Sequence, residues 1–355
     1  MTWRDRRVLD LFGIDVPIVL APMAGFGTVE LAAAVGRAGG LASLACATLT
    51  TDQADAAVTE LRRQVTGPVN LNFFCHASPV EDPLVMAAWR AKLAPYYAEA
   101  GIDPHAPVTA ASRRPFDDAA CAWVERVRPE IVSFHFGMPS HEHVVRVKAT
   151  GARVISSATT VREAIALEGR GCDAVIAQGA EAGGHRGMFL TDDVSTQVGT
   201  FALVPQIVDA VRVPVIAAGG IADRRGVAAA FALGASAVQI GTAYLRCPEA
   251  KVSAPHRRAL EEGSDDATAI TNVFTGRPAR GFATRLVVEQ GPINAAAPPF
   301  PLAAVPLAPL RAHAEAHGSG DFSNMWAGQA SKLAVAMPAF ELTQHLARAA
   351  LERMR

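Results

Sequence analysis

The chain has no excess of either charge, no cysteine pair at metal-ligand or redox spacing, and no long unbroken apolar run. Its 355 residues set 33 Lys and Arg against 34 Asp and Glu, a formal net charge of −1. With no long basic or acidic stretch, it offers no electrostatic footprint for nucleic acid or for a membrane surface. No window reaches the roughly 18 consecutive apolar residues of a transmembrane helix, so none is expected. The opening Met1-Thr2-Trp3-Arg4-Asp5-Arg6-Arg7 is charged and leads into only a brief apolar stretch, unlike a secretory signal. Cys46, Cys75, Cys121, Cys172 and Cys247 are odd in number and scattered, with no CxxC. They read as reduced, buried thiols of a cytoplasmic protein, not as disulfides or zinc ligands.

What is present suits a compact enzyme with a sizeable core: 50% of residues are hydrophobic and 19% charged. Short β-branched or apolar runs alternate with amphipathic segments. Eight runs read as strands: Pro17–Ala24, Leu41–Cys46, Val69–Cys75, Ile131–Gly137, Arg153–Ala158, Ala174–Gln178, Pro214–Gly219 and Ala237–Thr242. Helices are expected between them, starting at caps such as Thr28, Thr51 or Asp52, Ser140, Thr160 and Asp223. Strands apolar throughout and alternating with helices predict a parallel sheet covered by helices. Eight of them favour a closed (β/α)8 TIM barrel over an open doubly wound sheet. The barrel is expected over 1–246. A small helical and irregular lid subdomain, inserted after strand 8, should cover 247–319. The remaining 320–355 should carry a closing helix near Asn324–Met354. Residues 77–114, rich in Pro, Tyr and Trp, form a second long excursion.

Active residues of such barrels gather at the C-terminal strand ends. The sixth strand runs into Gln178-Gly179-Ala180-Glu181-Ala182-Gly183-Gly184-His185-Arg186-Gly187, a glycine-dense turn with one histidine. Glycine allows close backbone approach to a planar or anionic ligand. An imidazole held there suits proton transfer, and an unperturbed pKa of ~6.5 leaves both its forms accessible. An isolated histidine in a turn is ordinarily a solvated residue; the glycine flanks and strand-end position favour function. Asn70 and Asn72 share one face of strand three, His135 ends strand four between two phenylalanines, and each could equally be a satisfied core residue. The turns at Gly219-Gly220 and Gln239-Ile240-Gly241-Thr242 match a phosphate cup built from main-chain amides and a helix N-terminus, with no lysine.

The ordered motifs APMAGFGT, NLNFFCH, SFHFGMP, QGAEAGGHRG, AAGGIADRRG, SAVQIGT, FTGRPARG and MWAGQA resemble those of the FMN-dependent nitronate monooxygenases, over most of residues 14–335. The resemblance implies FMN across the barrel mouth as cofactor, with no metal. Ala21, Pro22 and Met23 would border its ring, Asn72 and Gln178 would bond the ring edge, and Gly183 would back it. Gly219, Gly220, Gln239, Ile240, Gly241 and Thr242 would hold the phosphate. His185 would be the catalytic residue and His135 would face the substrate, while Trp326 and Gln329 match the C-terminal motif. The implied reaction oxidises alkyl nitronates with O2 to carbonyl compounds and nitrite through a flavin semiquinone. Nitroalkanes and 3-nitropropionate-like compounds are further candidate substrates. The rival from the same superfamily is an FMN-dependent NAD(P)H:quinone or enoyl-acyl-carrier-protein reductase; a noncatalytic flavin- or phosphate-binding barrel is a third reading.

Other motifs carry less. Gly25-Phe26-Gly27-Thr28-Val29-Glu30 mimics a dinucleotide fingerprint, but Glu30 stands where the third glycine belongs and would repel pyrophosphate. His141-Glu142-His143 is not HExxH, and histidines two apart on a helix diverge. Gly276-Arg277-Pro278-Ala279-Arg280-Gly281 reads as an anion clamp or a solvated turn. Cys75 alone among the thiols sits near the candidate site.

Overall fold

The computed structural model describes residues 3–104 and 113–353. In chain order its strands are β1 (Ile18–Leu20), β2 (Ala42–Ala45), β3 (Val69–Phe74), β4 (Ile131–His135), β5 (Arg153–Ala158), β6 (Ala174–Gln178), β7 (Gly184–His185), β8 (Val215–Ala218), β9 (Ala237–Ile240), β10 (Thr268–Thr271) and β11 (Ala279–Phe282). Eight of these form one parallel sheet in the order β1-β9-β8-β6-β5-β4-β3-β2, each lying within an expected strand. The ends of the order meet: Val19 bridges Leu41, Leu41 N donates to Ile18 O at 2.9 Å, and Leu20 N donates to Leu41 O at 3.1 Å. The sheet is a (β/α)8 TIM barrel.

Local chemistry sets the helix starts. Thr28, Ser140, Thr160 and Asp223 each cap a helix by accepting a main-chain N–H. The second barrel helix, Thr51–Gln64, starts one or two residues earlier than the expected caps Thr51 or Asp52 imply, because Thr50 and Gln53 bond reciprocally in a capping box. The last helix is shorter than expected and spans Ala339–Arg353. Pro338 disfavours helical geometry at the residue before it, and 324–338 run mostly without regular structure. This helix packs between the helices Val29–Arg37 and Arg224–Ala232, completing the outer ring. No helix among the described residues is long and apolar enough to cross a membrane.

The two excursions join over the barrel's C-terminal rim. Residues 105–112 of the first lie outside the described residues. Its helix Pro83–Ala100 shares an apolar core with the segment after β9: Trp89, Leu93 and Tyr97 pack with Phe274, Leu286 and Leu310. The polar atoms of the large rings are matched too, Trp89 Nε1 donating to Ala303 O at 3.2 Å and Tyr97 Oη to Pro306 O at 2.5 Å. The expected helical and irregular lid also contains the antiparallel pair β10 and β11, and β11 adds β7 as its third strand. Ala279 is opposite His185 and Arg280 opposite Gly184. The segment after β9 is thus hydrogen-bonded to the histidine turn.

The barrel seam is tightly filled. A Cβ on Gly40 would sit 2.8 Å from Ile18 O and 3.0 Å from Val35 Cγ1. Gly40→Ala should therefore cost about 1–3 kcal/mol of stability, as overpacking does. Urea unfolding checks this: a lower midpoint at unchanged slope is expected, and an unmoved midpoint contradicts the strain.

Candidate active site

Strand β6 delivers Gln178 to the rim, where its side-chain amide closes the following turn on itself. Nε2 donates to His185 O at 3.0 Å, and Oε1 accepts from Gly187 N at 2.7 Å. Arg186, fully buried, adds a second tie by donating to Gln178 O at 2.8 Å and to Gln197 Oε1 at 2.7 Å. The glycines in this turn answer steric demands of the protein itself. A Cβ on Gly187 would lie 2.8 Å from Ser157 Cβ, and one on Gly183 would lie 2.6 Å from Ala327 C and Gly328 N. The turn's glycine density therefore admits the C-terminal segment, and Gly183 is backed by main chain there.

His135, at the end of β4, braces the same carbonyl. Its Nε2 lies 3.1 Å from His185 O and its Nδ1 3.1 Å from Ser157 Oγ. A carbonyl only accepts, so Nε2 carries the proton and Nδ1 accepts from the serine hydroxyl. Burial holds this imidazole down at about 4, so it is neutral. Both ring nitrogens are engaged by protein, which makes His135 a support for the His185 main chain, where substrate contact was expected.

His185 itself stands in an aromatic box. Ring centroids lie 5.2 Å away at Phe300, 5.4 Å at Trp326, 5.8 Å at Phe136 and 6.4 Å at Phe74. Its Nε2 is 2.9 Å from Thr275 Oγ1, whose hydroxyl in turn donates to Arg277 O at 3.4 Å. That chain leaves the proton on Nε2 and the lone pair on Nδ1. Burial first, then the positive charge of Arg113 and Arg277, with His135 and His76 close enough to oppose a further proton, hold the imidazole well below 6.5. The expectation of two accessible forms fails for this reason: the ring is neutral, and the cationic charge beside it belongs to arginine.

The other expected residues meet around the adjoining strand ends. Register places Leu20 beside Ile240 and Ala218 beside Gln239, and Ala21 N donates to Ile240 O at 2.9 Å. Ala21, Met23, Gly219, Gly220 and Gln239–Thr242 therefore surround one corner of the mouth. Gly219 has φ 107° and Gly220 φ 70°, and a Cβ on Gly219 would meet Ala182 N at 2.9 Å. The helix N-terminus expected to face an anion is already capped, with Asp223 accepting from Arg225 N at 2.8 Å and Gly226 N at 3.3 Å. Thr242 Oγ1 is engaged as well, accepting from Gly328 N at 2.9 Å. Asn72 lies at the other side, its Nδ2 donating to Ser133 Oγ at 3.0 Å.

Several neighbours were not singled out by the sequence. Phe136, Phe300, Thr275 and His76 reach the box from β4's end, the proline-rich 295–309 segment, the β10–β11 connection and β3's end. Arg277, open between clamp and solvated turn, has its guanidinium 4.1 Å from the Phe136 centroid. The FFCH run carries His76, but only the fold shows what surrounds it. Cys75, beside it, is half-buried, and desolvation pushes its thiol up, which keeps it protonated.

The buried imidazoles predict a pH signature. His76, His135 and His256 are held at about 4, and His185 lower than its usual value, by burial. The unfolded chain regains pKa values of ~6.5 and binds protons that the native state refuses, so stability should fall as pH drops from about 6.5 towards about 4. Urea unfolding between about pH 6.5 and 5.5, above the carboxylate range, should show this loss. His256→Gln, outside the box, should reduce the proton uptake by up to about one. A flat wild-type profile there contradicts the assignment.

Comparison with known proteins places this architecture. The family profile described as nitronate monooxygenase matches residues 5–348. A nitronate monooxygenase of Paraburkholderia phytofirmans is 41% identical over 345 residues, covering 97% of this chain and 94% of that one. Among solved structures, the nitroalkane oxidase of Streptomyces ansochromogenes superposes with a TM-score of 0.87 at 37% identity, covering 98% of each chain. FabK from Thermotoga maritima matches at TM-score 0.74 and 29% identity, covering 99% of this chain and 97% of that one. By profile, by sequence and by a barrel that superposes over nearly its whole length, the chain belongs to the nitronate monooxygenase family.

Proposed function

We propose that the protein binds FMN at the C-terminal rim of the barrel and oxidises alkyl nitronates with O2, releasing a carbonyl compound and nitrite. The observation that carries this reading is His185: a neutral imidazole with a bare Nδ1, walled by four aromatic rings and flanked by arginines. Proton removal from the carbon next to a nitro group needs a neutral base and a positive field for the anion that forms. His185 is the base, and Arg113 and Arg277 supply the field. The apolar walls keep water from the anion.

The residues at the mouth suit a flavin mononucleotide. Gly220 and Ile221 N–H groups donate to no acceptor among the described residues, and Gln239 Oε1 is buried without a partner. Amides of this kind, with Gly219, Ile240, Gly241 and Thr242 around them, would hold the phosphate by main-chain hydrogen bonds, without the capped helix terminus. Ala21, Pro22 and Met23 would border the ring. Asn72 and Gln178 each retain amide capacity for the ring edge beyond the bonds they already make. When bound, the flavin supplies the electron acceptor between substrate and O2. His135 and Gln178 hold the His185 carbonyl so that the imidazole keeps its direction.

The reductase alternative has less support, since the match to FabK is weaker in both superposition and identity than the match to the nitroalkane oxidase. Five unpaired thiols suit a reducing cytoplasm. The test is anaerobic: nitronate should bleach a yellow preparation and NADH should not, whereas bleaching by NADH alone favours the reductase. His185→Asn should lower turnover of neutral nitroalkane by about 100-fold or more, the usual scale for a lost general base, and spare pre-ionised nitronate. Equal losses on both substrates contradict the base role.

A further inference from the structure

His76 is unused by the chemistry above, yet it stands in the same box. Its ring is buried, and neither Nδ1 nor Nε2 has a hydrogen-bond partner among the described residues. The Arg113 main chain comes close enough to favour a protonated ring slightly, without reaching hydrogen-bond geometry. Buried polar groups in folded proteins are paired as a rule, and an exception calls for a cause.

The surrounding rings show where His76 faces. Its centroid lies 4.8 Å from Phe300, 6.1 Å from Phe136 and 6.2 Å from Phe74. These three rings are also walls of the His185 box, and Phe300 meets both imidazoles edge to face, at interplanar angles of 87° and 78°. Phe136 holds its place with φ at 70°, a left-handed conformation that a bulky residue seldom adopts and that clusters at functional sites. The Arg277 guanidinium lies over its ring. One Arg277 nitrogen donates to Met188 O, but Nε is buried and unpartnered. Two orphaned groups, one neutral and one cationic, thus border the space that holds the base.

We infer that His76 and Arg277 bind the paired oxygens of the substrate's nitronate group, or of the nitro group of its neutral parent, with the α-carbon facing His185. This rests on the nitronate-oxidising function proposed above. A nitronate spreads one negative charge over two oxygens on a single planar nitrogen, and those oxygens only accept. An imidazole N–H and the guanidinium Nε–H are donors of the matching kind. A neutral His76 adds a hydrogen bond without placing a second cation against His185; Arg277 balances the charge. His76 transfers no proton and acts as a binding residue.

The test uses the flavin-loaded enzyme and a primary alkyl nitronate. His76→Phe keeps a ring in the box and removes both nitrogens. KM should rise about 10-fold or more while kcat stays within about 3-fold, the pattern of a lost binding interaction to a charged partner. Flavin content and Tm should not change. Inhibition by butanoate, an unreactive carboxylate with a similar pair of oxygens, should weaken by a similar factor. His76→Gln, which keeps one donor, should recover part of both effects and serves alone should the phenylalanine variant not fold. Arg277→Met should raise KM independently. Unchanged KM and butanoate constants in the His76 variants, with normal wild-type nitrite release, would overturn the inference and leave the proposed function standing. A wild type that holds flavin but releases no nitrite would end the function instead, and the butanoate constants would still decide whether His76 binds oxyanions.

Discussion

The side-chain amide of Gln178 grips both ends of the turn that carries His185, and the geometry of the site follows from that grip. Its bonds to His185 O and Gly187 N fold the turn back over the sixth barrel strand. His135 reaches the same carbonyl from β4, two strands away, so two side chains rooted in the sheet fix one main-chain atom. The segment after β9 is fastened to the turn through β7 and β11, and the C-terminal segment lies against Gly183 and bonds Thr242. The barrel, the segment after β9 and the C-terminal segment therefore converge on a few residues. Rigid support of this kind is what a reactive side chain needs if its direction is to survive thermal motion.

Charge is divided in a consistent way around that support. The three imidazoles in or beside the box, those of His76, His135 and His185, are all driven neutral, and burial is the leading cause for each. Positive charge is left to Arg113 and Arg277, which stay cationic although burial lowers them too. An imidazole in such company can accept a proton from carbon, while the guanidinium groups favour the anion left behind. The same field disfavours a protonated His185 in the resting protein, so the base role proposed for it meets no competition from solvent protons near neutrality.

Much of this was legible in the chain, and the exceptions have physical reasons. Strands such as Ala174–Gln178 and caps such as Thr160 are local signals, written within a few residues, and they survive into the structure. The family motifs lie at strand ends for the same reason, and several meet at one corner of the mouth. What could not be read is contact across distance. Trp89 bonds Ala303 from 214 positions away, so the two excursions gave no local hint that they share a core. Glycine spacing around His185 suggested room for a ligand, whereas Gly183 and Gly187 make room for protein. His135 looked the same whether packed or facing substrate until Ser157 and the His185 carbonyl took both of its nitrogens. The His185 pKa depends wholly on neighbours supplied by other segments.

The account stands on an uncharged imidazole in an aromatic box flanked by arginines. Its most direct measurement is the 15N NMR titration of His185 in the folded, flavin-loaded protein. A ring that stays neutral, with its proton on Nε2, down to a pH well below 6.5 is the predicted result. A protonation midpoint at or above 6.5 would contradict it, because the residue would then be a cation awaiting an anion and not a base awaiting a proton.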